Sequence, residues 1–227
     1  MKHMNITTDK SALATGLALE ATSSVFLVDD DASVRRALAR LIKCAGHNVQ
    51  TFASAREFLG TETGSQDAGC LVLDVRMPGF TGIELQRELQ TMNRNLPIVF
   101  ITGHGDIPMS VNAMKAGAVD FLQKPVKDKD LLTAIEQSLA RAAREQSERE
   151  EIAQIRRRVE NLTPRELEVM ALVVTGMLNK QIAFKLGTVE KTIKVHRARV
   201  MDKMGVASIA ELVRIAEKIN IPPEKKP

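Results

Sequence analysis

Two short apolar runs in this chain each end in carboxylates. Val25-Phe26-Leu27-Val28 leads into Asp29-Asp30-Asp31, and Leu71-Val72-Leu73 leads into Asp74. Unbroken apolar runs of this length read as buried strands of a parallel sheet. If the two strands are neighbours, their C-terminal ends bring several like charges within contact distance. Like carboxylates raise one another's pKa until one protonates, unless a cation neutralises them. Mg2+ or another hard, oxygen-liganded divalent cation suits such a pocket. One Asp is then available as a nucleophile for phosphoryl transfer, with the others as metal ligands.

Further apolar runs at Pro97-Ile98-Val99-Phe100-Ile101 and Val119-Asp120-Phe121-Leu122 alternate with helical patterns. The first part of the chain therefore reads as a repeated strand and helix with a parallel sheet. Ligands of such sheets sit beyond the strand C-termini. Thr102 follows one of these runs and Lys124-Pro125 the next. A hydroxyl and an ammonium facing an acidic pocket suit a phosphoryl group, the first by a hydrogen bond and the second by charge.

With these residues in place, the chain resembles the receiver domain of two-component response regulators. The matching positions are Asp29-Asp30, Asp74 followed by Met77-Pro78-Gly79, Thr102, and Lys124-Pro125. The resemblance implies a doubly wound, five-stranded parallel fold of the flavodoxin-like kind. It implies that Asp74 accepts a phosphoryl group from a cognate sensor histidine kinase, assisted by Thr102 and Lys124. Asp29, Asp30, Asp74 and the backbone carbonyl of Arg76 become the metal ligands, and Asp31 a helix N-cap. Phe121 is implied to follow Thr102 as a switch residue, with plain core packing as the competing reading. Val111 and Lys115 lie on the face implied to form a homodimer on phosphorylation.

Length and charge allow this organisation. At 227 residues the chain accommodates two modest domains. No stretch approaches 18 apolar residues and no signal-peptide pattern opens the chain, so a soluble, cytoplasmic protein without membrane contact is expected. Cys44 and Cys70 lack metal-ligand spacing and are expected to be reduced, buried thiols. Residues 25–136 carry 12 Lys+Arg against 14 Asp+Glu, net −2, and residues 161–227 carry 12 against 7, net +5. The basic part lacks Trp and Tyr, as does the whole chain, which favours double-stranded DNA over a stacked single strand.

The expected domains are a flexible tail over 1–23, a receiver over 24–140, a helical linker over 141–160 and a DNA-binding domain over 161–227. Ala12 to Ala21 has the composition for a transient helix. Asp130 to Val159 contains no Gly or Pro, which favours one long helix or two abutting ones. Leu131, Leu132, Ile135 and Leu139 are spaced to pack on the receiver. Ile152, Ile155, Val159 and Leu162 restore an apolar spacing that fits either a solvated spacer or a short coiled coil.

Thr163-Pro164-Arg165-Glu166 is a capping box with Pro at the first helical position. A helix to about Thr175, a second from Asn179 and a third from about Val189 to Met204 are separated at Gly176 and Gly187. Short helices with a tight Gly turn describe a small all-α helix-turn-helix domain. Leu162 to Glu166, Asn179-Lys180-Gln181-Ile182-Ala183 and Lys191-Thr192-Ile193-Lys194-Val195-His196 resemble the LuxR-type domain of FixJ/NarL response regulators. This implies a DNA-binding transcription regulator, not an enzyme, with RNA polymerase as a further partner.

At about 100° per residue, Val189, Ile193, Val200 and Met204 fall on one side of the third helix. Lys191, Lys194, Val195 and Ala198 face away and are expected to read bases, Lys at guanine and the apolar pair at thymine methyls. Thr192, Arg197 and Arg199 flank that stripe and suit phosphates. His196 lies nearer the apolar side and is expected to pack. Val189 stands where the family carries a Ser or Thr cap, so Thr188 is expected to cap one residue early. Val126 replaces the aromatic that often follows the Lys-Pro pair. A dehalogenase-type phosphatase would need a second Asp two residues after Asp74, where Arg76 stands, and a dinucleotide site would need a Gly-rich turn instead of three carboxylates.

Overall fold

The computed structural model describes residues 24–61, 69–103 and 107–219. The strands are β1 (Ser24–Val28), β2 (Asn48–Phe52), β3 (Gly69–Asp74), β4 (Ile98–Thr102) and β5 (Asp120–Gln123). They form one sheet in the order β2-β1-β3-β4-β5, every pair parallel. The helices between them are α1 (Ala32–Cys44), α2 (Ala55–Leu59), α3 (Gly82–Thr91) and α4 (Ile107–Lys115). This is the doubly wound flavodoxin-like order, whose direction of winding reverses between β1 and β3.

The central strands β1, β3 and β4 are buried along their whole length, which is why their sequences run apolar without alternation. Alternate residues serve opposite layers. Phe26, Val28, Leu71, Leu73 and Phe100 join Phe58 and Leu85 on one face, and Val25, Leu27, Cys70, Val72 and Ile101 join Ile42 and Leu131 on the other. Gly82 opens α3 against the strand that ends in Asp74. A Cβ there would overlap the Asp74 carbonyl oxygen, so only glycine lets α3 start at that point.

After β5 a single helix, α5 (Asp128–Glu160), runs without interruption. The chain divides into two compact units between Gln146 and Ser147, inside this helix. In the first unit Leu131, Ile135 and Leu139 of α5 are buried in the core, as their spacing predicts, whereas Leu132 is half-buried and outside that core. In the second, α6 (Pro164–Val173), α7 (Asn179–Lys185), α8 (Glu190–Met204) and α9 (Ile209–Lys218) enclose a core of Val169, Met170, Leu172, Ile182, Ile193, Val200, Met204 and Leu212. Ile155 of α5 belongs to that same core. Both capping readings hold: Asp31 accepts from the Ser33 and Val34 amides at the start of α1, and Thr163 and Glu166 form a reciprocal box at the start of α6.

Four expectations change. Val189 is not on the buried stripe of α8: it is the N-cap and 64% exposed, because the backbone there is extended and the helical wheel does not apply. Thr188 does not cap one residue early, and no side chain caps α8. Cys44 is exposed on the last turn of α1, whereas Cys70 is buried in β3, where desolvation pushes its thiol up to about 12. Ile155 is 3% exposed in its own unit's core, so it is neither a solvated spacer residue nor free for a coiled-coil seam. The expected tail and its Ala12 to Ala21 segment lie outside the described residues.

Candidate functional site

Parallel registry builds the acidic pocket. Val28 pairs with Leu73, so the residues that follow, Asp29 and Asp74, leave adjacent strands at the same level, at the reversal point of the sheet. Asp29 and Asp74 are buried and Asp30 is exposed at the rim. Their carboxylates can each offer one oxygen such that all three lie within 4.8 Å of one another. Thr102, fully buried, ends β4 beside them, and its carbonyl accepts the Lys124 amide at 2.7 Å.

Lys124 closes the pocket from the end of β5. Its Nζ donates to Asp29 Oδ2 at 2.8 Å and to Asp74 Oδ2 at 2.6 Å. The remaining oxygens are also engaged: Asp29 Oδ1 accepts the Asp31 amide at 2.8 Å, and Asp74 Oδ1 accepts the Arg76 amide at 3.0 Å. Burial pushes the Asp29 carboxyl above its ordinary value despite the hydrogen bond from Lys124. For Lys124, burial acts to lower the pKa, but its hydrogen bonds to Asp29 and Asp74 outweigh it and the net direction is upward. One ammonium thus faces three carboxyl groups, an imbalance that a hard cation with oxygen ligands would reduce. The donor set fits such an ion.

The other residues of the receiver reading lie apart from this cluster. Phe121 is half-buried on β5, its ring 6.0 Å from Phe100, and packs against the sheet core. Val111 is 43% exposed on α4, together with Met114 and Lys115.

The second unit presents a basic helix. On α8, Ile193, Val200 and Met204 are buried, while Lys191, Lys194, Val195, Ala198 and Arg199 are exposed and Thr192 and Arg197 half-buried. Lys194 pairs with Glu190 one turn earlier at 3.2 Å, an exposed contact of little net strength. Arg197 Nη1 donates to Asn179 Oδ1 at 2.8 Å, so the first residue of α7 orients it. His196 is half-buried, with Nδ1 enclosed and lacking a hydrogen-bond partner among the described residues. The Asn179 contact was not anticipated, since the motif that marks the start of α7 says nothing of a partner 18 residues away. Glu166 likewise has a second role: Lys203 donates to its Oε2 at 2.6 Å, across 37 residues.

Residues 25–136 match the family described as response regulator receiver domain, and residues 160–216 match the bacterial regulatory proteins of the luxR family. Nodulation protein W of Bradyrhizobium diazoefficiens is 48% identical over 197 residues, which cover 87% of this chain and 86% of the relative. The chain belongs to the two-component response regulators. Among solved structures, response regulator StyR is 50% identical with a TM-score of 0.79, covering 87% of this chain and 99% of StyR. Full-length FixJ from B. japonicum is 40% identical with a TM-score of 0.52, covering 88% of this chain and 98% of FixJ. This response regulator is therefore a two-component transcriptional regulator, with a receiver that implies a histidine kinase partner and a LuxR-type domain that implies DNA. Among the described residues no helix is long and apolar enough to cross a membrane.

Proposed function

We propose that Asp74 of this regulator accepts a phosphoryl group from its sensor histidine kinase and that the modification controls DNA binding by α8. The observation that carries the reading is the Lys124 ammonium bridging Asp29 and Asp74 at the strand ends. Asp74 is the carboxylate that both borders the cluster and ends a strand paired on both sides, to β1 and β4. A bound Mg2+ would supply charge neutralisation for the incoming phosphoryl oxygens. Asp29, Asp30, Asp74 and the Arg76 carbonyl are the groups that would hold it. A phosphoryl group adds about −1.5 to −2 charge and strong acceptors at Asp74. Lys124 then answers that charge and Thr102 offers its hydroxyl. Phe121, on the neighbouring strand, follows Thr102.

The domains are a receiver over 24–140, a linker over 141–160 and a DNA-binding domain over 161–227. On phosphorylation, α4 and β5 form a homodimer through a surface that includes Val111 and Lys115; the exposed Val111 and Met114 support this. Lys191, Lys194, Val195 and Ala198 read double-stranded DNA, and Thr192, Arg197 and Arg199 contact its phosphates. RNA polymerase is a further partner, and the protein acts in the cytoplasm.

Replacing Asp74 with Asn keeps shape and removes the nucleophilic oxygen. Asp74→Asn should abolish labelling by radioactive acetyl phosphate with Mg2+, at unchanged far-ultraviolet dichroism. Label that persists on the folded variant would place the acceptor on another residue.

A further inference from the structure

Residues 137–159 of α5 lie between the two family matches. The last turns of this stretch are bound to the second unit at several points. Ile155 is buried against that unit's core, and Val159 packs on the same cluster. Glu151 holds Lys218 of α9 at 2.6 Å. At the end of the helix, Arg158 Nη1 donates to the Met204 carbonyl at 3.1 Å.

Met204 is the last residue of α8, and the place of this bond matters. The chain leaves α8 through Gly205 in the left-handed conformation at φ 65°. The Gly205 and Val206 amides turn back to the Asp202 and Met201 carbonyls. The carbonyl of Met204 points out beyond that turn, where the helix has no N–H of its own to donate to it. A guanidinium placed there meets both the orphan oxygen and the negative end of the helix dipole. Beside it Lys203, in the same turn of α8, donates to the Asn161 carbonyl at 3.1 Å and to Glu166. The C-terminal end of α8 is thus pinned to the end of α5 and the start of α6.

We propose that Arg158 is a positioning residue for DNA recognition: by anchoring the last carbonyl of α8 to α5, it sets the angle at which α8 presents its exposed face. The DNA-reading unit accordingly begins near Ser147, upstream of the helix-turn-helix itself. Arg158 acts through the backbone and not on DNA, since it grips the end of α8 opposite to the N-terminal residues that enter the groove in helix-turn-helix complexes. The inference rests on reading α8 as the recognition helix, and the controls below separate the two.

The test uses the full chain, a duplex enriched from a random pool by the unmutated protein, and a random duplex, across a salt series. Arg158→Ala should lower affinity for the enriched duplex about five- to tenfold and leave the random duplex within about twofold, at an unchanged salt slope. Amide exchange should quicken over Val200 to Met204 and not elsewhere in α8. Equal losses on both duplexes, with a salt slope reduced by about one, would make Arg158 a phosphate contact. Unchanged binding to both would make the clasp irrelevant to recognition. Lys194→Ala serves as control: if it keeps discrimination while Arg158→Ala loses it, Lys194 reads no base and the clasp acts through the other exposed residues of α8; if neither variant alters discrimination, α8 is not the reader and the proposal falls with that reading. Should Arg158→Ala lose its C-terminal fold, Arg158→Met decides, because it keeps the apolar stem and removes the donor to the Met204 carbonyl. A loss of discrimination in that variant supports the proposal, and full wild-type discrimination overturns it.

Discussion

Asp29 and Glu166 are both enclosed carboxylates held by a lysine, yet their pKa values move in opposite directions. For Asp29 the cost of burial dominates, its lysine is shared with Asp74, and the neighbouring charge adds to the upward shift. For Glu166, 3% exposed at its side chain, the hydrogen bond from Lys203 comes first and the Thr163 amide second; together they pull it from an ordinary 4.5 down to about 2. A carboxyl with a depressed folded pKa stabilises the fold above its unfolded pKa, and that stabilisation disappears as the pH falls toward the folded value. The second unit should therefore lose stability from about pH 5 down to about pH 2. Glu166→Gln keeps an amide oxygen for the Thr163 box but has no charge to lose. It should be less stable than the parent at pH 7, with a flatter dependence of Tm on pH in the acid range. Parallel Tm curves for the two proteins would show that Glu166 is not the group responsible.

At the scale of elements, α8 carries an identifiable weakness at its start. Val189 occupies the N-cap, makes no capping hydrogen bond and is exposed. Val189→Ser should therefore stabilise the second unit by about 1 kcal/mol, the usual difference between a capping and a non-capping residue. Urea unfolding would check it, and a destabilised variant would mean that Val189 makes contacts worth more than a cap. The capping box at Thr163, the Gly turns and the carboxylates at strand ends were legible in the sequence because each is a local rule with fixed spacing. β2 was harder to see: Asn48–Phe52 lies at the sheet edge and turns only Val49 and Phe52 inward, so it lacks the unbroken apolar run of β1 and β3. The apolar spacing at Ile152, Ile155 and Val159 marked a stripe but not what covers it, and the core of the second unit covers Ile155 and Val159. Arg158 with Met204 and Lys203 with Glu166 join residues 46 and 37 positions apart, and no local pattern announces such pairs.

For the whole molecule, the proposed function makes predictions from charge and symmetry. The receiver residues 25–136 carry net −2 and residues 161–227 net +5, so attraction to DNA belongs to the second unit. A single small helix-turn-helix unit reads few base pairs, and the proposed pairing of two through the receivers would double the site without new kinds of DNA contact. The proposed two-fold interface through α4 and β5 would be self-complementary, the same patch meeting itself. The DNA should then hold two half-sites related by the same axis, about one helical turn apart. Beryllofluoride with Mg2+ mimics the phosphoryl group on Asp74 and should convert the full chain from monomer to dimer in sedimentation velocity. Val111→Asp should prevent that conversion, because two like charges would face each other across the axis, while leaving Asp74 labelling by acetyl phosphate intact. A beryllofluoride-treated parent that stays monomeric on and off DNA would exclude dimerisation as the output of phosphorylation. Regulation would then have to act within one copy of the chain.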